Sequence, residues 1–66
     1  MIDERIKELR KREGISQREL SEEIGVPQQT ISSWESGRNE PSIFNCIVLA
    51  DYFDVSLDYL CRGLIE

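Results

Sequence analysis

The stretch "SQRELSEEIGVPQQTISSWESGR", residues 16–38, predicts two short consecutive helices. Ser16 and Glu19 have the spacing of a capping box, in which a hydroxyl and a carboxylate each bind a free backbone N–H at a helix start. Gly25 predicts the end of this helix. Pro27 fixes its own φ at a value suited to the start of the next helix.

The two predicted helices, over 17–24 and 27–36, are separated by Gly25 and Val26 alone. A connection this short forces a sharp angle between the helices. Residues 17–36 are therefore predicted to form a helix-turn-helix.

Apolar residues at helical spacing predict three further helices. The first helix covers about 2–13 and stops at Gly14. The fourth begins at Ser42, which follows Pro41, and the fifth is a short helix that ends near Gly63. The predicted buried face of the fourth helix consists of Ile43, Cys46, Ile47, Ala50 and Phe53.

The composition predicts a single soluble all-α domain over residues 1–66, a compact bundle of five helices. Hydrophobic residues make up 39% and charged residues 32% of the chain, which excludes an intrinsically disordered protein. No apolar run reaches the length of a membrane span, and residues 1–13 are too charged for a signal peptide. We therefore expect a cytoplasmic protein that does not bind membranes.

Catalytic and metal chemistry find little support in the sequence. The chain has no histidine, no glycine-rich phosphate loop and no CxxC spacing, so we expect neither an enzyme, nor a metal site, nor a cofactor or small-molecule ligand. Cys46 and Cys61 lie in apolar helical patterns and are predicted to be buried reduced thiols. A disulfide or a metal site is the alternative for this pair.

The third helix carries side chains that are poor helix formers but good hydrogen-bonding groups. Ile31 and Trp34 are its apolar anchors, so the opposite or leading face is exposed and carries Gln28, Gln29, Ser32 and Ser33. A glutamine amide can bind N6 and N7 of adenine together, and short hydroxyl side chains suit base edges or thymine methyl groups. A merely solvated face is the alternative.

Two segments, "ISQRELSEEIGVPQQTISSWESGRNEPS" and "LADYFDVSLDYL", resemble the helix-turn-helix family of Cro and the lambda-type phage repressors, also called the xenobiotic-response-element family. The resemblance runs from Ile6 to about Leu60 and extends through every predicted helix. It implies a sequence-specific regulator, expected to be a repressor, that binds double-stranded DNA with the third helix in the major groove.

The resemblance also implies roles for individual residues. Pro27 departs from the family, which often has Ser, Thr or Asp there, and it removes a side-chain cap. Positions that read bases in the family hold Gln28, Gln29, Thr30 and Ser33. The positions that contact DNA phosphates in the family are occupied here by Gln17, Arg38 and Asn39. A partly buried ion pair of the family matches Arg10 and Glu35.

A formal net charge of −5 argues against a strong DNA binder. The segment 40–66 holds five acids and one base, so much of the acidity is remote from the proposed DNA face. A single protomer should bind weakly, and a homodimer is expected at least on DNA. Its candidate surfaces, each of which has local packing as the alternative, are Phe44 with Val48 and Leu64 with Ile65.

The acidity also keeps a second function open. A protein-binding regulatory module, such as an antirepressor or a regulatory subunit, would retain the helix-turn-helix fold and use it against another protein.

Overall fold

A computed structural model describes the backbone of residues 2–65 and the side chains of residues 2–61. Over this range the chain is all-helical, which confirms the predicted fold class. The five helices are α1 (Ile2–Arg12), α2 (Gln17–Ile24), α3 (Gln28–Glu35), α4 (Ile43–Phe53) and α5 (Leu57–Ile65).

Caps at both ends define α2. The Ser16 hydroxyl accepts a hydrogen bond from the Glu19 backbone N–H at 3.0 Å, and the Ser16 N–H donates to the Glu19 carboxylate at 2.8 Å. At the other end Gly25 has φ 75° and donates its N–H to the Ser21 carbonyl at 2.9 Å. This left-handed residue turns the chain directly into α3.

The third helix begins one residue later than predicted. Pro27 has φ −62°, which suits a helix, but its ψ of 147° is extended, so Pro27 is the N-cap and α3 starts at Gln28. No side-chain hydrogen bond caps this end. At the other end α3 stops at Glu35, where the prediction continued to Ser36.

The core is formed by apolar side chains from all five helices. Ile6 and Leu9 of α1 meet Leu20 of α2, and α3 contributes Ile31 and Trp34. Because α3 packs on both α1 and α2, its two apolar anchors determine which face remains outside. The remaining core members are Ile2, Cys46, Leu49, Ala50, Phe53, Leu60 and Cys61.

The predicted buried face of α4 is wrong at two positions. Ile43 and Ile47 are 66% and 45% exposed, whereas Leu49, which the prediction omitted, is fully buried. The helix packs against α5 and α2, and these neighbours cover the stripe of Cys46, Leu49, Ala50 and Phe53. Ile43 and Ile47 lie beside that stripe and face outward.

One buried carboxylate joins α3 to the two helices before it. Glu35 accepts hydrogen bonds from Arg10 Nε at 2.7 Å and Arg10 Nη2 at 3.0 Å, and its side chain is only 3% exposed. A third bond comes from Gln17 Nε2 at 3.1 Å. Arg10 also donates to the Ile15 carbonyl at 2.8 Å, and its hydrogen bond to Glu35 raises the pKa of the guanidinium despite its burial.

Replacing the turn glycine tests its backbone conformation. Gly25→Ala should lower the free energy of unfolding by about 1 kcal/mol, because alanine disfavours positive φ. No atom lies within 4 Å of the added Cβ, so a steric clash contributes nothing. Chemical denaturation measures the difference. Gly25→Asn should be milder, and the exposed Glu23→Ala serves as control; equal stability of the glycine and alanine forms would contradict the assignment.

The ion pair predicts a non-additive mutant cycle. Arg10→Met and Glu35→Gln should each lower the free energy of unfolding by roughly 3 kcal/mol, because each leaves a buried group without its partner. The double variant should lose less than the sum, since it removes both the stranded charge and its desolvation penalty. Strict additivity in denaturant titrations would contradict an energetic coupling between the two side chains.

Candidate nucleic-acid interface

The first turn of α3 presents two amides to solvent. Gln28 and Gln29 are both exposed, while Thr30 and Ser33 are half-buried on the same helix. Trp34 and Ile31 point into the core and hold the helix by its inner side. The structure thus brings the four predicted base-reading residues onto one accessible helix.

The loop after α3 places two polar residues beside this surface. Gly37 has φ 78°, and the backbone N–H groups of Arg38 and Asn39 both donate to the Ser33 carbonyl, at 3.0 and 3.3 Å. These bonds fold the loop back over the end of α3. Arg38 and Asn39 are exposed as a result.

An open concavity of about 420 Å³ separates the helix from this loop. Gln29, Thr30 and Ser33 line it on the helix, and Arg38 and Asn39 line it on the loop. Pro27 and Trp34 complete its wall. Amides, hydroxyls and a guanidinium therefore surround one accessible depression, which suits a polar, anionic ligand such as a nucleic-acid backbone with its base edges.

Gln17 occupies the start of α2 and has a structural partner. Its amide N–H donates to Glu35, so the side chain is held beside the buried ion pair and is half-buried. The family resemblance implies a phosphate contact for Gln17, and no signal in the sequence indicates its bond to Glu35. An amide has two N–H donors and a carbonyl, so the contact with Glu35 leaves further hydrogen-bonding capacity.

The positive charges counted in the sequence are not all available at this surface. Arg10 is neutralised by Glu35 within the fold. The exposed Arg18 lies 3.5 Å from Glu22. Arg38, by contrast, is exposed beside the concavity.

Part of the acidity gathers around α4. The pKa of Tyr52 is raised by desolvation and then by the negative charges of Glu23, Glu13 and Glu19. These acids come from α2 and from the loop that joins α1 to α2.

An apolar surface lies on α4. Phe44 is 69% exposed and Val48 is half-buried one turn later, while the neighbouring Ile43 and Ile47 are exposed. We call Ile43, Phe44 and Ile47 the α4 apolar surface. The other candidate contact, at Leu64 and Ile65, lies outside the described side chains.

The part of the chain that the structure describes lacks the features of two other classes of site. No helix there is long and apolar enough to cross a membrane. The side chains of residues 2–61 also contain no group of three or more cysteine, aspartate or glutamate residues arranged to hold a metal ion.

Comparison with known proteins places this geometry in a family. Repressor protein C2 of Salmonella phage P22 is 36% identical over 63 residues, which are 96% of this chain and 29% of the phage protein. The cryptic phage CTXphi transcriptional repressor RstR of Vibrio cholerae is 33% identical over 60 residues, 91% of this chain and 54% of that protein.

The uncharacterized transcriptional regulator YqaE of Bacillus subtilis is 32% identical over 63 residues, 96% of this chain and 54% of its own length. The chain thus spans about half or less of the length of these relatives. No solved structure matches it significantly. The Helix-turn-helix family model (HTH_3) matches residues 6–60, and the chain belongs to this helix-turn-helix family of Cro- and phage-repressor-type regulators.

Proposed function

We propose that this chain is the DNA-binding domain of a transcriptional regulator that acts as a repressor on double-stranded DNA. The observation that carries the proposal is the pair of exposed amides, Gln28 and Gln29, at the start of a helix fixed from behind by Ile31 and Trp34. Two relatives named as phage repressors support repression as the mode of regulation.

In this proposal α3 enters the major groove with its first turn leading. Gln28 and Gln29 read base edges, and adenine is the expected partner of at least one of them because its N7 and N6 match the donor and acceptor of an amide. Thr30 and Ser33 lie deeper, and their short side chains allow a close approach to the groove floor. They contact bases or thymine methyl groups.

Phosphate contacts hold this helix in register. Arg38 and Asn39 face one strand from the loop beside the concavity, and Gln17 faces the backbone from the start of α2. The bond from Gln17 to Glu35 supports this role, because a side chain already held in place loses less conformational freedom on binding. Such contacts carry affinity and orientation and no sequence information of their own.

Binding as a homodimer offsets the low positive charge of one protomer. With a net charge of −5, a single copy gains little non-specific attraction to DNA. Phe44 and its neighbours Ile43 and Ile47 expose more apolar area than a solvated helix face needs, and Val48 lies at their edge. Self-association through the α4 apolar surface would place two recognition helices on a two-fold operator, with Leu64 and Ile65 as a further candidate contact.

The domain needs no cofactor, metal or small-molecule ligand for this role, and it performs no reaction. A repressor acts by occupying its operator in the compartment that holds the DNA, which we expect to be the cytoplasm.

A protein-binding regulatory module is the second candidate. The acids near Tyr52 and the net charge favour a protein partner over DNA. The exposed amide pair favours DNA, because a protein-binding surface has no need for adjacent glutamines at a helix start.

Substitutions in α3 separate base reading from phosphate binding. Gln28→Ala and Gln29→Ala should each weaken binding to the preferred site by roughly 1–3 kcal/mol and relax the preference at one position per half-site. Arg38→Ala should weaken binding to all sequences about equally and reduce the salt slope by about one unit. Selection from a random duplex library and titrations across salt concentrations measure both effects.

Thermal unfolding of the same variants is the control, because exposed positions should tolerate alanine with little loss of stability. If both glutamine variants keep wild-type affinity and base preference, α3 is a solvated face. A flat salt response with no retention of DNA would favour the protein-binding module.

The dimer proposal predicts the symmetry of the site and a role for Phe44. Selected duplexes should contain an inverted repeat whose half-sites lie about 34 Å apart. Phe44→Ala should reduce affinity for the full site while leaving binding to an isolated half-site unchanged. Phe44 is exposed, so the substitution spares the core. A selected site without an inverted repeat, or equal effects on full and half sites, would contradict the proposal.

A further inference from the structure

Cys46 on α4 and Cys61 on α5 belong to the same buried cluster, between two helices that pack against each other. Both thiols are free, and both are buried, with 2% of Cys46 and 8% of Cys61 exposed. The pKa of Cys46 is raised to about 12 by burial and then by the neighbouring thiol of Cys61. Cys46 also points its sulfur toward the Pro41 carbonyl at 3.8 Å.

The two thiols differ in access to solvent. A mainly apolar groove of about 310 Å³ is lined by Ile43, Leu57, Asp58 and Cys61. Ile43 precedes Cys46 by one helical turn, so this groove runs over the same end of α4 that holds the deeper thiol. Cys61 lines this groove and Cys46 does not, so Cys61 is the thiol within reach of a small molecule.

We propose that Cys46 and Cys61 form a reversible disulfide between α4 and α5 on exposure to a hydroperoxide. A small uncharged oxidant suits the groove because three of the four lining residues are apolar and the fourth, Asp58, would repel an anion. The proposal does not depend on DNA binding. It does assign a chemical role to a pair that would otherwise be two small apolar core residues.

The reaction proceeds in two displacements. The Cys61 sulfur attacks one peroxide oxygen, the O–O bond breaks, and the leaving hydroxide takes the thiol proton to become water. The product is a sulfenic acid at Cys61. The Cys46 sulfur then attacks the Cys61 sulfur, the S–O bond breaks, and a second water leaves with the Cys46 proton. Two thiols are oxidised, and hydrogen peroxide is reduced to two waters.

The order follows from access and ionisation. Cys61 lines the groove, and the raised pKa of Cys46 keeps that thiol protonated near neutral pH, where the thiolate is the reactive form. Cys46 therefore reacts second, with the sulfenic acid that forms beside it.

Mass spectrometry of the purified full chain tests the proposal. Reduced protein is treated with hydrogen peroxide and then denatured in the presence of an alkylating agent. The mass of the intact chain is then measured. The expected product is a monomer that lacks two hydrogens, takes up no alkyl group, and regains both thiols with a reductant. The new loop spans about 15 residues, so oxidation should raise the midpoint of thermal unfolding by roughly 10–25 °C.

Two variants assign the steps. Cys46→Ala should accumulate a sulfenic acid at Cys61, which dimedone labels, and should form no internal disulfide. Cys61→Ala should leave Cys46 reduced under the same treatment. The proposal fails if the folded wild-type chain keeps two alkylatable thiols, or if oxidation gives only disulfides between molecules. Either result would leave the pair as packing residues, and the wild-type measurement alone decides this if a variant is too unstable.

Discussion

The position of α3 depends on a buried carboxylate at its end. Glu35 is the last residue of α3, where the helix dipole disfavours a negative charge, and its side chain is almost fully removed from water. Arg10 compensates for both effects through two short hydrogen bonds. With Gln17 added, side chains from three helices meet at one carboxylate, which links the orientation of α3 to α1 and to the start of α2.

Because of this arrangement, the side chains on the outer face of α3 are not needed to hold the helix in place. The helix is held by Ile31, Trp34 and Glu35, all on its inner side or at its end. Gln28 and Gln29 contribute little to packing. Folding therefore does not require glutamine at these positions, and contacts outside the molecule can determine which residues occupy them. The exposed residues of this face are poor helix formers and do not pack in the core. Binding therefore explains their presence better than folding does.

Local signals predicted the parts of the fold that local chemistry determines. The capping box at Ser16 and the left-handed Gly25 are encoded within a few residues, so the helix-turn-helix could be predicted. The face of α4 could not, because apolar residues occur almost all round that helix and the neighbouring helices decide which ones are covered. The bond from Gln17 to Glu35 was equally hidden, since the two residues lie 18 positions apart and meet only after packing.

The same packing clarifies the charge of the proposed interface. Arg10 is neutralised by Glu35 within the fold, and Glu22 lies beside Arg18. What remains at the concavity is mainly hydrogen-bonding capacity, supplemented by Arg38. Such a surface gains little free energy from counterion release. Its affinity for DNA of random sequence should therefore be low compared with its affinity for its preferred site. In the proposed function, such a domain would rely on matched base edges and on a second copy of itself, for which the exposed apolar side chains of α4 are the proposed surface.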